Sequence, residues 1–254
     1  MKAVLILWLM SFAFEPLMAQ TDSGPEKRLA LVIGNADYKI VSALPTALND
    51  AADMATTLKQ LGFDVMLYTN TDKLATQQAI SEFSTRLKGH QVGLFYYSGH
   101  GLAAGGEQFL IPIDADSAKL IDPSKSCLSL SALTTDMASA KAATNVVVLN
   151  ADRNNPSKYG ALRRDEMTSS LPSSVMASGF LIAYSTSPGR SLISNTGRNG
   201  FYTSALLSNL KTPGLTIEEV FSRTRRVVSQ QTGMRQLPWE TSSLTQDFYF
   251  LRHN

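Results

Sequence analysis

An α/β domain built on a mostly parallel sheet follows from three features of this 254-residue sequence. Short, wholly apolar runs such as Leu29–Ile33 and Val92–Tyr97 suit strands buried on both faces. Between such runs lie stretches of roughly 10–15 residues with apolar side chains at helical spacing. The two patterns alternate, the order that winds a parallel sheet with helices on its faces.

The first strand, Leu29–Ile33, ends at the turn Gly34-Asn35. Leu48, Ala51, Ala52, Ala55, Leu58 and Leu61 then fall on one helical stripe, and Gly62 stops it. Phe63 to Tyr68 is the second strand, and Thr76 to Leu87 repeats the helical pattern through Ala79, Ile80, Phe83 and Leu87. Val92 to Tyr97 is the third strand, and Phe109 to Ile113 a short extra one. Leu130 to Ala142 reads as a helix, Val146 to Leu149 as the fourth strand and Phe180 to Tyr184 as the fifth. Helices follow over Phe201–Leu210 and Ile217–Gln230, the second opened by Thr216 with Glu219 three residues on. Phe248 to Leu251 is expected to close the chain as a last strand. Residues 157–178, rich in serine and carrying Arg163-Arg164, show no period and read as a long surface loop.

Composition narrows the function. At 44% apolar and 17% charged the chain is globular, and it is long enough to bury a full core. A net charge of +2 argues against nucleic acid as a partner held by charge. The one cysteine, Cys127, excludes an internal disulfide, and His90, His100 and His253 form no zinc-spaced cluster with it. Residues 1–19 have the layout of an export signal: Lys2, the apolar run Ala3–Phe14, and Ala19 before Gln20. That run is shorter than the ~20 residues a membrane span needs. The expectation is a secreted or periplasmic bacterial protein, with no membrane contact after cleavage. Residues 28–252 then form one domain.

Sites on open parallel sheets gather at the carboxyl ends of strands. After the third strand comes Ser98-Gly99-His100-Gly101, and flanking glycines leave the imidazole free to face a cleft. After the fourth comes Asn150-Ala151-Asp152-Arg153, and after the fifth Ser185-Thr186-Ser187-Pro188-Gly189. No GxxxxGK[ST] loop, no GxGxxG after the first strand and no GxSxG elbow is present. His90 and His253 read as surface residues and Cys127 as a packed side chain.

In order and spacing these segments resemble the caspase-like peptidases, bacterial members and metacaspases above all. The resemblance rests on Leu31-Val32-Ile33-Gly34-Asn35, Asn49-Asp50-Ala51, Tyr97-Ser98-Gly99-His100-Gly101, Phe109–Asp114, Tyr184–Gly189, Gly200–Leu206 and Pro238-Trp239-Glu240. It implies a three-layer sandwich around a mostly parallel six-stranded sheet. It also implies a Cys-His dyad, with the cysteine about 50 residues after the histidine. Fifty-two residues after His100 stands Asp152. In relatives that cut after Arg or Lys, two acids hold the basic side chain. Asp50 matches the first and Asn150 replaces the second, while Asp50 also suits a helix N-terminal cap.

A carboxylate attacking an amide would give an anhydride more activated than the amide itself, whereas a thiolate gives a hydrolysable thioester. Loss of the nucleophile typically costs about 10⁶ in kcat. Asp152 is instead expected to pair with His100. The reading is therefore a pseudo-peptidase that binds a peptide or protein, an active relative among the candidates, through Asp50, Asn150 and Ser185 beside His100 and Asp152. No cofactor or metal is expected. The alternative is a hydrolase of the same family that keeps activity through another nucleophile with His100, Ser98 and Ser185 being the nearest hydroxyls.

Overall fold

The computed structural model describes residues 26–39, 41–115, 122–151, 178–193 and 195–253. The leader, Asp152, Arg163-Arg164 and nearly all of the 157–178 loop lie outside the described residues.

Six strands form the main sheet: β1 (Arg28–Gly34), β2 (Phe63–Thr69), β3 (Val92–Ser98), β7 (Thr144–Asn150), β8 (Phe180–Tyr184) and β9 (Trp239–Ser242), in the order β2-β1-β3-β7-β8-β9. The first five run parallel, and β9 pairs antiparallel with β8. Helices α1 (Pro45–Gln60), α5 (Phe201–Leu210) and α6 (Ile217–Gln231) share one face, and α2 (Lys73–Leu87) and α4 (Leu130–Ser139) the other. This is the mostly parallel three-layer α/β sandwich that the sequence pattern implies.

Strand alternation divides the core accordingly. Ala30, Val32, Tyr96, Val148 and Ala183 pack with Met54, Leu58, Leu206 and Phe221. Leu31, Ile33, Phe95, Leu149 and Tyr184 pack with Ile80, Phe83, Leu133 and Met137. Both faces are covered, so the strands read as continuous apolar runs.

Helix starts carry chemical signals. Asp72 accepts from Ala75 N–H at the head of α2, and Ser129 accepts from Ala132 N–H at that of α4. Thr216 and Glu219 close the expected capping box on α6. Helix α1 begins earlier than the stripe suggested, with Pro45 in its first turn, where a missing N–H costs nothing. Asp50 therefore sits inside the helix and does not cap it.

A second, three-stranded sheet of β4 (Gly101–Ala104), β5 (Glu107–Leu110) and β6 (Leu128–Ser129) follows β3, with the short helix α3 (Pro123–Ser126) before β6. Gly105 and Gly106, both at positive φ, make the two-residue turn between β4 and β5. The extra strand expected at Phe109–Ile113 thus lies two residues earlier.

The last expected strand is a correction. Phe248–Leu251 is no strand; only Tyr249 makes an isolated bridge, to Thr216. The run is apolar because it packs over the amino end of β1. The Arg28 guanidinium lies 5.1 Å from the Phe248 ring centre and 5.6 Å from that of Phe63. It donates to the carbonyls of Tyr249 (3.1 Å) and Phe250 (2.9 Å) and pairs with Glu26 (2.7 Å).

Candidate functional site

Register brings the strand ends to one level. Gly34 lies opposite Ser98, and Ser98 opposite Asn150. The turn carrying His100 is tied to both neighbours: Asn35 N–H donates to the Ser98 carbonyl (2.9 Å) and Gly99 N–H to that of Asn150 (3.2 Å). His100 thus starts one residue from a backbone bond to the end of β7, and position 152 follows two residues after Asn150.

His100 is held from several sides. Its Nε2 lies 2.8 Å from the Ser42 carbonyl oxygen. A carbonyl only accepts, so the neutral ring carries its proton on Nε2 and leaves Nδ1 as the basic nitrogen. The Tyr38 ring meets the imidazole edge-on, with centroids 4.7 Å apart. The Tyr38 hydroxyl accepts from His100 N–H (2.7 Å) and lies 3.2 Å from the Tyr97 hydroxyl. Tyr97 in turn donates to the carbonyls of His100 (3.0 Å) and Ile111 (2.8 Å). Gly99 is required by this crowding, since a Cβ there would lie 2.5 Å from both tyrosine oxygens.

Beside the histidine turn lies a buried polar cluster. Asp50, fully buried on α1, accepts from Ser98 Oγ (3.1 Å), Asn150 Nδ2 (3.0 Å) and Gly200 N–H (3.0 Å). Asn150 Nδ2 also reaches Ser98 Oγ (3.2 Å) and Thr203 Oγ1 (3.3 Å), and Thr203 meets the Tyr96 hydroxyl (2.6 Å). Burial pushes the Asp50 carboxyl above its ordinary range, against the pull of its donors. One turn on, Asp53 accepts from Nε and Nη2 of Arg198, each at 2.8 Å, which holds it below that range. Asn49 donates to the Arg198 carbonyl (3.1 Å), so one face of α1 fastens the connection from β8 to α5.

The other residues singled out by sequence are placed as follows. Ser185 is fully buried, its N–H on the Leu149 carbonyl and its own carbonyl taking Gln236 Nε2 (2.9 Å). Its hydroxyl has no hydrogen-bond partner among the described residues. Cys127 is buried with Leu102, Phe109 and Ile111, its sulfur 3.8 Å from Ser126 Oγ, and burial pushes the thiol up to about 11. His90 is half-buried and His253 exposed. His100, Asp50, Asn150 and Ser98 come together at one end of the sheet. Asp152 lies outside the described residues.

Sequence reasoning missed Ser42, Tyr38, Tyr97, Thr203 and Gly200 as parts of this site. Tyr97, Gly200 and Thr203 stand in segments that carried the family resemblance, which was the available signal. Ser42 contributes only a backbone carbonyl, and no side-chain pattern marks that. Among the described residues no group of three or more His, Cys, Asp or Glu side chains could hold a metal ion. No helix among them is long and apolar enough to cross a membrane.

Comparison with known proteins gives a consistent picture. The family model described as Caspase domain matches residues 27–249. Human mucosa-associated lymphoid tissue lymphoma translocation protein 1 is 30% identical over 133 residues, which is 52% of this chain and 16% of that protein. Its mouse homolog is 30% identical over 123 residues, 48% of this chain and 14% of that protein. The chain thus spans a small part of these curated relatives. Among solved structures, that of caspase-1 from Spodoptera frugiperda superposes with a TM-score of 0.67 at 20% identity, over 90% of this chain and 93% of that one.

Proposed function

Because the chain belongs to the caspase domain family, we propose that it is a non-catalytic member that binds a peptide or protein at the carboxyl end of its sheet. One observation carries this reading. The family resemblance implies a nucleophilic thiol about 50 residues after the histidine, Asp152 stands fifty-two after His100, and the chain's only cysteine is packed in the second sheet. With its thiol pushed up to about 11, Cys127 holds almost no thiolate near neutral pH. The hydroxyls near the histidine do not replace it. Ser98 donates to Asp50, and Ser185 is fully buried. The histidine of the family's dyad is retained, with its Nε2 held on the Ser42 carbonyl.

The apolar run in residues 1–19 supports export, and under that reading the binding partner lies outside the cytoplasm. Fractionation of cells carrying the full chain and a chain begun at Gln20 tests this. Both in the cytoplasm would overturn it.

The enzymatic test compares wild type, Asp152→Cys and Asp152→Cys/His100→Ala on fluorogenic peptides ending in Arg, Lys and Asp. Wild type is expected to be silent, and Asp152→Cys to cut in a His100-dependent way. Turnover by wild type that His100→Ala abolishes would overturn the reading.

A further inference from the structure

Helices α2 and α4 cover the same face of the main sheet, and a groove of about 490 Å³ lies between them. None of His100, Asp50, Ser98 and Asn150 lines it. Its floor is made by Ile80, Cys127, Leu128 and Leu133, all buried. Its walls carry short hydroxyl side chains, Ser81 and Ser84 from α2 and Ser129 and Ser139 from the two ends of α4. An apolar floor of this size with a few polar groups above it suits a small molecule.

The groove is polarised along its length. Lys73 opens α2 and Lys88 follows its last residue, about 22 Å apart at 1.5 Å per helical residue. Helices α2 and α4 each end shortly before a strand, and those strands are paired in parallel with Val92 opposite Thr144. The late part of α4 therefore lies level with Lys88, which gives that end of the groove a carboxylate, Asp136, as well as a cation. No carboxylate lines the Lys73 end. The nearby acids are engaged elsewhere: Asp72 accepts from Ala75 N–H (2.7 Å), Asp114 accepts from the backbone N–H of Lys73 (2.9 Å), and Asp122 pairs with Lys125 (3.0 Å).

Lys73 itself is half-buried. A lysine in this position would ordinarily extend its ammonium into water. Here Nζ turns back and donates to the Lys125 carbonyl, and among the described residues it pairs with no carboxylate. Its charge is felt at Cys127 on the groove floor. That thiol, pushed up to about 11 by burial, stays protonated and supplies no counter-charge. Lys73 also stands in the first turn of α2, where the helix dipole is itself positive. After its bond to Lys125 the ammonium keeps two N–H groups to donate, and Gln77, one turn along α2, brings an amide to the same end.

We propose that this groove binds a small organic anion, with a carboxylate or phosphate head on Lys73 and an uncharged body laid along Ile80, Leu128 and Leu133. The head supplies the negative charge that the Lys73 end lacks, and Asp136 directs it away from the other end. The site is separate from the histidine turn, and the proposal does not rest on the peptide-binding reading.

The test is binding to the purified protein, read by calorimetry and by melting temperature. The probes are 4-phenylbutyrate, phenyl phosphate, the neutral 4-phenylbutanamide and inorganic phosphate. The first two are expected to bind saturably and raise the melting temperature, the tighter of them identifying the head group. The amide and inorganic phosphate are expected to bind at least about tenfold more weakly, each lacking one half of the ligand. Lys73→Met is expected to weaken the anionic probes by at least about tenfold and Lys73→Arg to retain them, while Lys88→Ala stays within about twofold of wild type. Ala132→Trp, at an exposed position of α4 that lines the groove, is expected to block the body and abolish binding. The proposal is overturned if neither anionic probe binds, if the amide binds as well as they do, or if binding survives Lys73→Met or Ala132→Trp. Peptide cleavage by wild type would defeat the non-catalytic reading and leave these affinities unaffected.

Discussion

The hydroxyl of Tyr38 accepts the backbone N–H of His100 at 2.7 Å, while the same residue's ring packs edge-on against the imidazole. One side chain from the β1–α1 connection therefore sets both the backbone and the ring of a residue in the turn between β3 and β4. Tyr38→Phe keeps the ring and deletes the acceptor. It is expected to cost about 1–2 kcal/mol in denaturant unfolding. The His100 imidazole resonances should stay sharp in Tyr38→Phe and broaden in Tyr38→Leu, where the ring contact is lost as well.

Gly99→Ala tests the crowding behind that turn. The added methyl would fall 2.5 Å from two tyrosine oxygens that are themselves hydrogen-bonded. Loss of about 2 kcal/mol or more is expected, the range for forced overpacking of a filled core. In the Asp152→Cys background the same change should remove His100-dependent cleavage. Retained cleavage at wild-type stability would show that the loop has slack.

The Cys127 thiol is expected to resist modification. With burial pushing it up to about 11, an aromatic disulfide reagent at about pH 8 should label the native chain about a hundredfold more slowly than the denatured chain. Rapid native labelling would show that the second sheet opens and exposes the sulfur.

Two carboxyls one turn apart on α1 should respond to pH in opposite directions. Asp50 is raised above 3.8 by burial, so the folded chain keeps its proton where the unfolded chain has released it. Its contribution to stability is greatest below 3.8 and declines as pH rises through the folded value. Asp53 is lowered by Arg198, so its contribution is present above 3.8 and is lost as pH falls through the folded value. Relative to wild type, Asp50→Asn should gain stability as pH rises above 3.8, and Asp53→Asn should lose its deficit as pH falls below 3.8. Parallel pH profiles for the two variants would contradict these assignments.

How far the sequence disclosed this molecule depended on whether a feature was local. Strands β1, β3, β7 and β8 are buried on both faces, so burial alone wrote them as apolar runs. Helix α6 announced itself through Thr216 and Glu219 because a capping box lies within one turn. Strand β9 did not, since Trp-Glu-Thr-Ser is a half-exposed edge with no apolar run. The run that imitates a strand, Phe248–Leu251, owes its apolarity to Arg28 and Phe63 instead. Asp50 suits both a binding acid and a helix cap in sequence, and the second fails because α1 starts at Pro45, which the apolar stripe from Leu48 does not mark. His100 was conspicuous between its glycines, but its partners Ser42 and Tyr38 reach it across about 60 residues of chain, beyond any local pattern.

The Arg28 clamp has a consequence for how the chain is made. Arg28 and the Phe250 carbonyl that it grips are 222 residues apart. Synthesis delivers the guanidinium long before its partners Phe248, Tyr249 and Phe250. While the polypeptide grows, β1 can pair with β2 and β3, but the rim beneath them stays wet. Closure of that rim thus waits until residues 248–250 have emerged, and a product cut short before them would keep the open rim of a nascent one.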